Sequence, residues 1–215
     1  MVQQLLSNHV LKNNAPFSKE QLTVNEYVLV LQPHEDLHHK IMDIKKQFAD
    51  TYNCVQALYS KPNITLLRFE QVNMLEPKII QHLQKLVAPL MPFMVILDGF
   101  GNHPSHSLFI KVTSTAKITE LIKQLKPIQS LLQYNKEQKP HFITEPYISI
   151  ARKLLPWQYE QSWKHYVHVP FSAHFMATQM VLLKRTSKTE TYSIAAKISL
   201  SNNQAKPVVQ TMLFN

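Results

Sequence analysis

Two polar pairs carry the chemistry that this chain has to offer. In Pro62–Arg68 (PNITLLR), Asn63 and Thr65 stand two residues apart. In Pro146–Arg152 (PYISIAR), 84 residues further on, Tyr147 and Ser149 repeat that spacing. An amide, a phenol and two hydroxyls can all donate hydrogen bonds. None of them is a ready base near neutrality: asparagine does not titrate usefully, and tyrosine has a reference pKa of about 10. What these four groups can do together is hold an anion without moving its protons.

Position demands strands. Both heptapeptides are apolar and β-branched, and each opens on a proline, where a missing N–H costs least. Residues i and i+2 of a strand share a face, so each segment presents its pair to one side of a sheet, and two such faces could line one cleft from opposite walls. Strict alternation puts Arg68 and Arg152 on the other face. There they read as structural or strand-end residues, with Arg152 kept as an auxiliary candidate.

The flanking elements follow from periodicity and turn residues. Residues 1–24 read as an N-terminal extension and 25–215 as one domain. Glu26–Leu31 (EYVLVL) is a strand. His34–Asn53 is a helix with Leu37, Ile41, Ile44 and Phe48 on one face, and Asn73–Leu90 is a second helix. Pro92–Leu97 is a strand, Asp98–Gly101 (DGFG) a turn, and Ser107–Val112 a strand. Ala116–Tyr134 is a helix kinked near Pro127. His141–Arg152 contains the second heptapeptide strand, and Leu154–Val167 is a short aromatic helix. Phe171–Arg185 is one long strand, Thr189–Leu200 its hairpin partner, and Lys206–Phe214 a last strand. The mixture predicts an α+β fold with mainly antiparallel sheets and flanking helices.

Composition narrows the function. The 215 residues carry a formal net charge of +9, which favours anionic partners such as nucleotides or RNA. The chain has two glycines, Gly99 and Gly101. A Walker loop and a dinucleotide fingerprint both need more, so neither is present. The single Cys54 excludes an internal disulfide and suits a reducing cytoplasm, the expected location. Met1–Lys12 lacks a basic n-region followed by a long apolar run, so a secretory leader is not expected, and the longest apolar stretches are too short to span a bilayer. His34 and His38 have helical metal-pair spacing, but no further ligands follow, so a solvated face is expected.

With both heptapeptides in view, the chain resembles the two-histidine (2H) phosphoesterase superfamily, which includes 2′-5′ RNA ligase-like proteins and cyclic nucleotide phosphodiesterases. That family's signature is two distant strands, each bearing His-x-Thr or His-x-Ser. The segment PYISIAR fits the second frame, and PNITLLRF the first, at every place but the histidine. Phe175–Arg185 (FMATQMVLLKR) resembles the family's closing core strand, and the likeness runs from about Glu26 to Leu200. The resemblance implies a bilobal fold with two sheets facing across a groove, one histidine as base and one as acid, and hydroxyls on the phosphate. It implies no cofactor and no metal.

Asn63 and Tyr147 stand where the family has its histidines. The expectation is therefore a cleft that holds a nucleotide, an RNA end or another phosphorylated small molecule, through Thr65, Ser149, Asn63 and Tyr147. The standard ring-opening or ligation chemistry is absent from that picture. Two alternatives stay open. In one, His103, His106 or His141 replaces a lost imidazole and the protein remains an enzyme. In the other, the fold is an interaction scaffold with its groove filled. On an unbroken strand, His141 and Thr144 would face opposite sides and could not act as a pair.

Overall fold

Nine antiparallel strands form one sheet among the described residues. The computed structural model describes residues 22–200; the expected extension up to residue 21 and the expected strand over 206–214 lie outside the described residues. In chain order the strands and helices are β1 (Val24–Leu31), α1 (Glu35–Thr51), β2 (Ile64–Val72), α2 (Glu76–Val87), β3 (Phe93–His103), β4 (Ser107–Val112), α3 (Thr115–Leu125), α4 (Gln129–Leu132), β5 (His141–Phe142), β6 (Tyr147–Arg152), α5 (Pro156–Tyr166), β7 (Ser172–Ala177), β8 (Gln179–Arg185) and β9 (Ser193–Ser199). This is the α+β architecture that the sequence predicts.

The sheet follows the path β7-β3-β4-β6-β2-β1-β8-β9, with β5 as a side branch on β2, and this path divides into two lobes of four strands. One holds β7, β3, β4 and β6; the other holds β2, β1, β8 and β9. They meet where β6 pairs β2 at a single position, Ile64 opposite Ile148. The two heptapeptide strands are thus the inner strands of their lobes and lie side by side.

Three of the helices cover the lobes crosswise. The first helix, α1, lies between β1 and β2 in sequence but packs against β6 of the other lobe. In return α3 and α4, which lie between β4 and β6, pack against β2, and the buried Gln71 amide of β2 donates to the Leu131 carbonyl of α4 at 3.0 Å. The fifth helix, α5, packs against β4 and is tied to the end of α1, where Gln158 donates to the Tyr52 carbonyl at 2.9 Å.

Local chemistry explains the helix ends. His34 caps α1, its Nδ1 accepting from the Leu37 N–H at 3.3 Å, and Glu35 and Asp36 sit in the positive first turn. In α5, Pro156 takes the first turn, where no N–H is needed, and Gln158 accepts from the Leu155 N–H. The buried stripe of α1 is Leu37, Ile41, Lys45, Phe48 and Ala49. Lys45, rather than the expected Ile44, occupies the third place in it.

Two sequence expectations need correction. Asp98–Gly101 is a bulge inside β3 and not a turn: Asp98 and Gly99 together face Lys111, because Leu97 pairs Val112 while Phe100 pairs Ile110. Gly99 adopts φ +65°, the left-handed conformation such a bulge requires. The chain reverses instead at Pro104–His106. The second correction concerns Phe171–Arg185, which is two strands. It breaks at Thr178, with β7 pairing β3 in one lobe and β8 pairing β1 in the other. The hairpin of β8 with β9 and the kink before Pro127 appear as expected.

Gly101 has a different reason to be glycine. A Cβ there would lie 2.5 Å from the Phe109 ring. That ring stacks against Tyr147 at 4.6 Å and His103 at 4.8 Å. Gly101→Ala must therefore displace the Phe109 ring on which the other two rest. It should destabilise the fold by about 1–3 kcal/mol in chemical denaturation, as overpacking does.

Candidate phosphate-binding cleft

The joint between β2 and β6 opens on the side away from the helices into a cleft of about 440 Å³. Asn63 and Thr65 line it from one strand, Tyr147 and Ser149 from the other. All four are half-buried, so each is presented to the cleft without being sealed in the core. Ile64 and Ile148, between the polar residues, are fully buried toward the helices.

Arg68 and Arg152 also line this cleft, contrary to the simple alternation that puts them on the far face. The cause is a bulge repeated in both motifs. Opposite β1, Leu29 pairs Leu67 but Val30 pairs Thr65, so Leu66 is an extra residue. Opposite β4, Leu108 pairs Ala151 but Phe109 pairs Ser149, so Ile150 is an extra residue. One extra residue flips the parity of everything beyond it. Arg68 thereby joins Thr65, and Arg152 joins Ser149. The signal was present in the sequence: Leu66-Leu67 and Ile150-Ala151 each put two adjacent apolar residues into an otherwise alternating run, and all four are buried.

Neither guanidinium has a hydrogen bond or ion pair among the described residues. With Lys61 they give the cleft three side-chain cations against one carboxylate, Glu145. Buried orphans point the same way. Ser149 Oγ and Ser107 Oγ have no partner among the described residues, and Ser107 sits opposite Arg152 across β4 and β6. An orphaned buried hydroxyl is unfavourable unless a ligand or water satisfies it.

The histidines divide. His103 lines the cleft and meets Tyr147 edge to face at 5.3 Å. His141 lines it from β5, where it pairs with Arg68 across the strands. His106 does not line it but stacks on His103, with ring centroids 5.9 Å apart. The chain is not one unbroken strand from His141 onward: it leaves β5 after Phe142 and re-enters the sheet at Tyr147. That break lets Thr144 line the cleft together with His141, which strict alternation forbids. Ser60, Lys61 and Glu145 complete the wall and were not singled out by sequence.

Beneath the floor lies Lys45, fully buried, donating to Ser60 Oγ at 2.9 Å and to the Ser149 carbonyl at 3.2 Å. Burial, reinforced by the Arg152 charge, pulls its amine down to about 8. No group of three or more His, Cys, Asp or Glu that could hold a metal gathers among the described residues. No helix among them is long and apolar enough to cross a membrane.

Among solved structures the chain is similar to E. coli LigT in its apo form, with 13% identity, 83% of this chain and 98% of that chain covered, and a TM-score of 0.61. LigT complexed with 3′-AMP is similar at 12% identity, with 83% and 98% covered and a TM-score of 0.57. TT0787 of Thermus thermophilus is similar at 16% identity, with 81% and 97% covered and a TM-score of 0.52. No curated protein matches. A sequence profile described as the 2′-5′ RNA ligase superfamily matches residues 33–189, well over half of the sequence, and the chain belongs to that superfamily.

Proposed function

We propose that the cleft binds a phosphorylated ligand, a nucleotide or an RNA end, and lacks the two-histidine chemistry of the superfamily. One observation carries this: four hydrogen-bonding side chains from two distant strands share one cleft with Lys61, Arg68 and Arg152. Charge-assisted hydrogen bonds are the strong ones, and guanidinium matches phosphate geometry. The likeness to LigT complexed with 3′-AMP supports a nucleotide-type ligand.

The proton side is missing. A base must accept and then return a proton near neutrality, and neither an amide nor a phenol at positions 63 and 147 does this. Asn63 and Tyr147 remain as donors, and Thr65 and Ser149 as hydroxyl partners. The protein on this reading recognises a phosphate end and leaves it intact.

Calorimetry with 3′-AMP or inorganic phosphate tests the reading. Arg68→Ala and Arg152→Ala should each weaken binding about tenfold or more, because each removes hydrogen bonds to a charged group. Wild-type protein that binds neither ligand would end the proposal. A second reading, a phosphodiesterase with relocated imidazoles, is favoured by His103 and His141 both lining the cleft. Turnover of a 2′,3′-cyclic phosphate that disappears with His103→Ala or His141→Ala would establish it in place of the first. The filled-scaffold reading has less support, since Asn63 and Tyr147 border open space.

A further inference from the structure

Lys45 has no place in the recognition described so far, yet it is the one fully buried lysine of the α1 stripe. Its ammonium has hydroxyl and carbonyl acceptors, Ser60 Oγ and the Ser149 carbonyl, but no carboxylate partner among the described residues. A buried ammonium without a counter-charge is strongly unfavourable, and an aliphatic residue would suit that helix position better.

No carboxylate among the described residues supplies the anion, and Cys54 is the titratable neighbour that favours the charged amine. Arg152 of β6 opposes the amine's charge. Cys54, just beyond α1, has its thiol pushed up by burial, against the opposing pull of the Ala57 N–H and of Lys45 itself, so burial disfavours the thiolate. His38, two turns earlier on α1, is pushed down by burial, by His39 and by nearby lysines. The residues that Lys45 does hold belong to the cleft wall. Ser60 Oγ accepts from the ammonium, which leaves its own O–H free to donate, and Ser149 Oγ is an orphan.

We propose that Lys45 is the buried counter-charge of the cleft: a doubly charged tetrahedral anion seated among Ser60, Ser149 and Arg152 completes an ion pair that the protein leaves open. The inference rests on the phosphate-binding reading and sharpens it. The preferred ligand is a terminal phosphomonoester, which carries two charges, over an internal phosphodiester, which carries one. Lys45 acts here as a positioning residue, since it reaches the ligand through Ser60 and the β6 backbone.

Linkage makes this measurable. An anion that favours the charged amine must raise its pKa, and binding above pH 8 must then draw a proton from solvent onto Lys45. Inorganic sulfate is the right probe, because it stays a dianion and does not titrate in this range. At pH 8.5, calorimetry in two buffers of different ionisation enthalpy should show roughly 0.7 proton taken up per sulfate, given an amine at about 8. Lys45→Met should take up none and bind sulfate at least tenfold more weakly. Dimethyl phosphate, a monoanion, should bind wild type more weakly than sulfate.

Sulfate binding without proton uptake by wild type would overturn the role of Lys45 and leave the cleft reading standing. Dimethyl phosphate binding as tightly as sulfate would overturn the dianion preference. Failure of wild type to bind sulfate or phosphate even at pH 7 would remove both. The wild-type proton count needs no variant, so it decides the matter even if Lys45→Met folds poorly.

Discussion

Asn63→His combined with Tyr147→His should give the protein measurable ring-opening of a 2′,3′-cyclic nucleotide. On the proposed reading the anion site requires no rebuilding. Thr65 and Ser149 already line the cleft, and Arg68 and Arg152 already stand on the same face. On the proposed reading, what positions 63 and 147 lack is a pair of groups that titrate near neutrality. Such a group typically contributes ~10²–10⁴-fold, so the double variant should exceed wild type by at least ~10²-fold. The two gains need not multiply, because an acid without its base completes only half of the proton traffic. Position 147 suits an imidazole, since Phe109 and His103 already provide an aromatic surround at 4.6 and 5.3 Å. A folded double variant that binds phosphate normally and shows no turnover would mean that more than these two side chains separates the protein from catalysis.

The second large effect is on stability and comes from Lys45. Its amine sits at about 8 in the folded protein against an ordinary 10.5. Between those values the unfolded chain holds more protons than the folded one, so stability rises with pH across that window. Below pH 8 the penalty is complete; above 10.5 it is gone. A difference of 2.5 pH units corresponds to about 3 kcal/mol. Lys45→Met abolishes this dependence. Its melting temperature relative to wild type should therefore fall by roughly 6–12 °C as the pH goes from 7 to 10.5. Lost hydrogen bonds to Ser60 and Ser149 affect both ends of the range and largely cancel in that comparison. Parallel melts of the two proteins at both pH values, differing by a constant, would show that the lysine is not strained by burial. Should the effect appear, the charge that unsettles the fold at neutral pH is the same one proposed to receive the ligand.

Sequence alone revealed the two motif strands because polar residues at i and i+2 interrupt apolar runs in the same register twice. It also gave the helices around Ile41, Ile79 and Leu121, whose apolar residues recur at helical spacing. Beyond the hint of two adjacent apolar residues in each motif, what it missed is fixed by contacts far away in the chain. The bulges at Leu66 and Ile150 exist because of the partners across β1 and β4, and those bulges bring both arginines into the cleft. The break at Thr178 carries no proline or glycine; it is set by β7 and β8 joining different lobes. Lys45 looks like any solvent-facing lysine until the β6 backbone is placed above it.

The crosswise roofing of the lobes has a bearing on how a ligand is received. A single residue pair joins the strands at the mouth, which by itself would make a weak seam. Yet α1 braces the strand of one wall from the other side of the seam, while α3 and α4 brace its counterpart. Spreading the walls would strip apolar cover from both at once. If the cleft binds as proposed, its walls are already braced before a ligand arrives, and little conformational freedom remains to be surrendered on association.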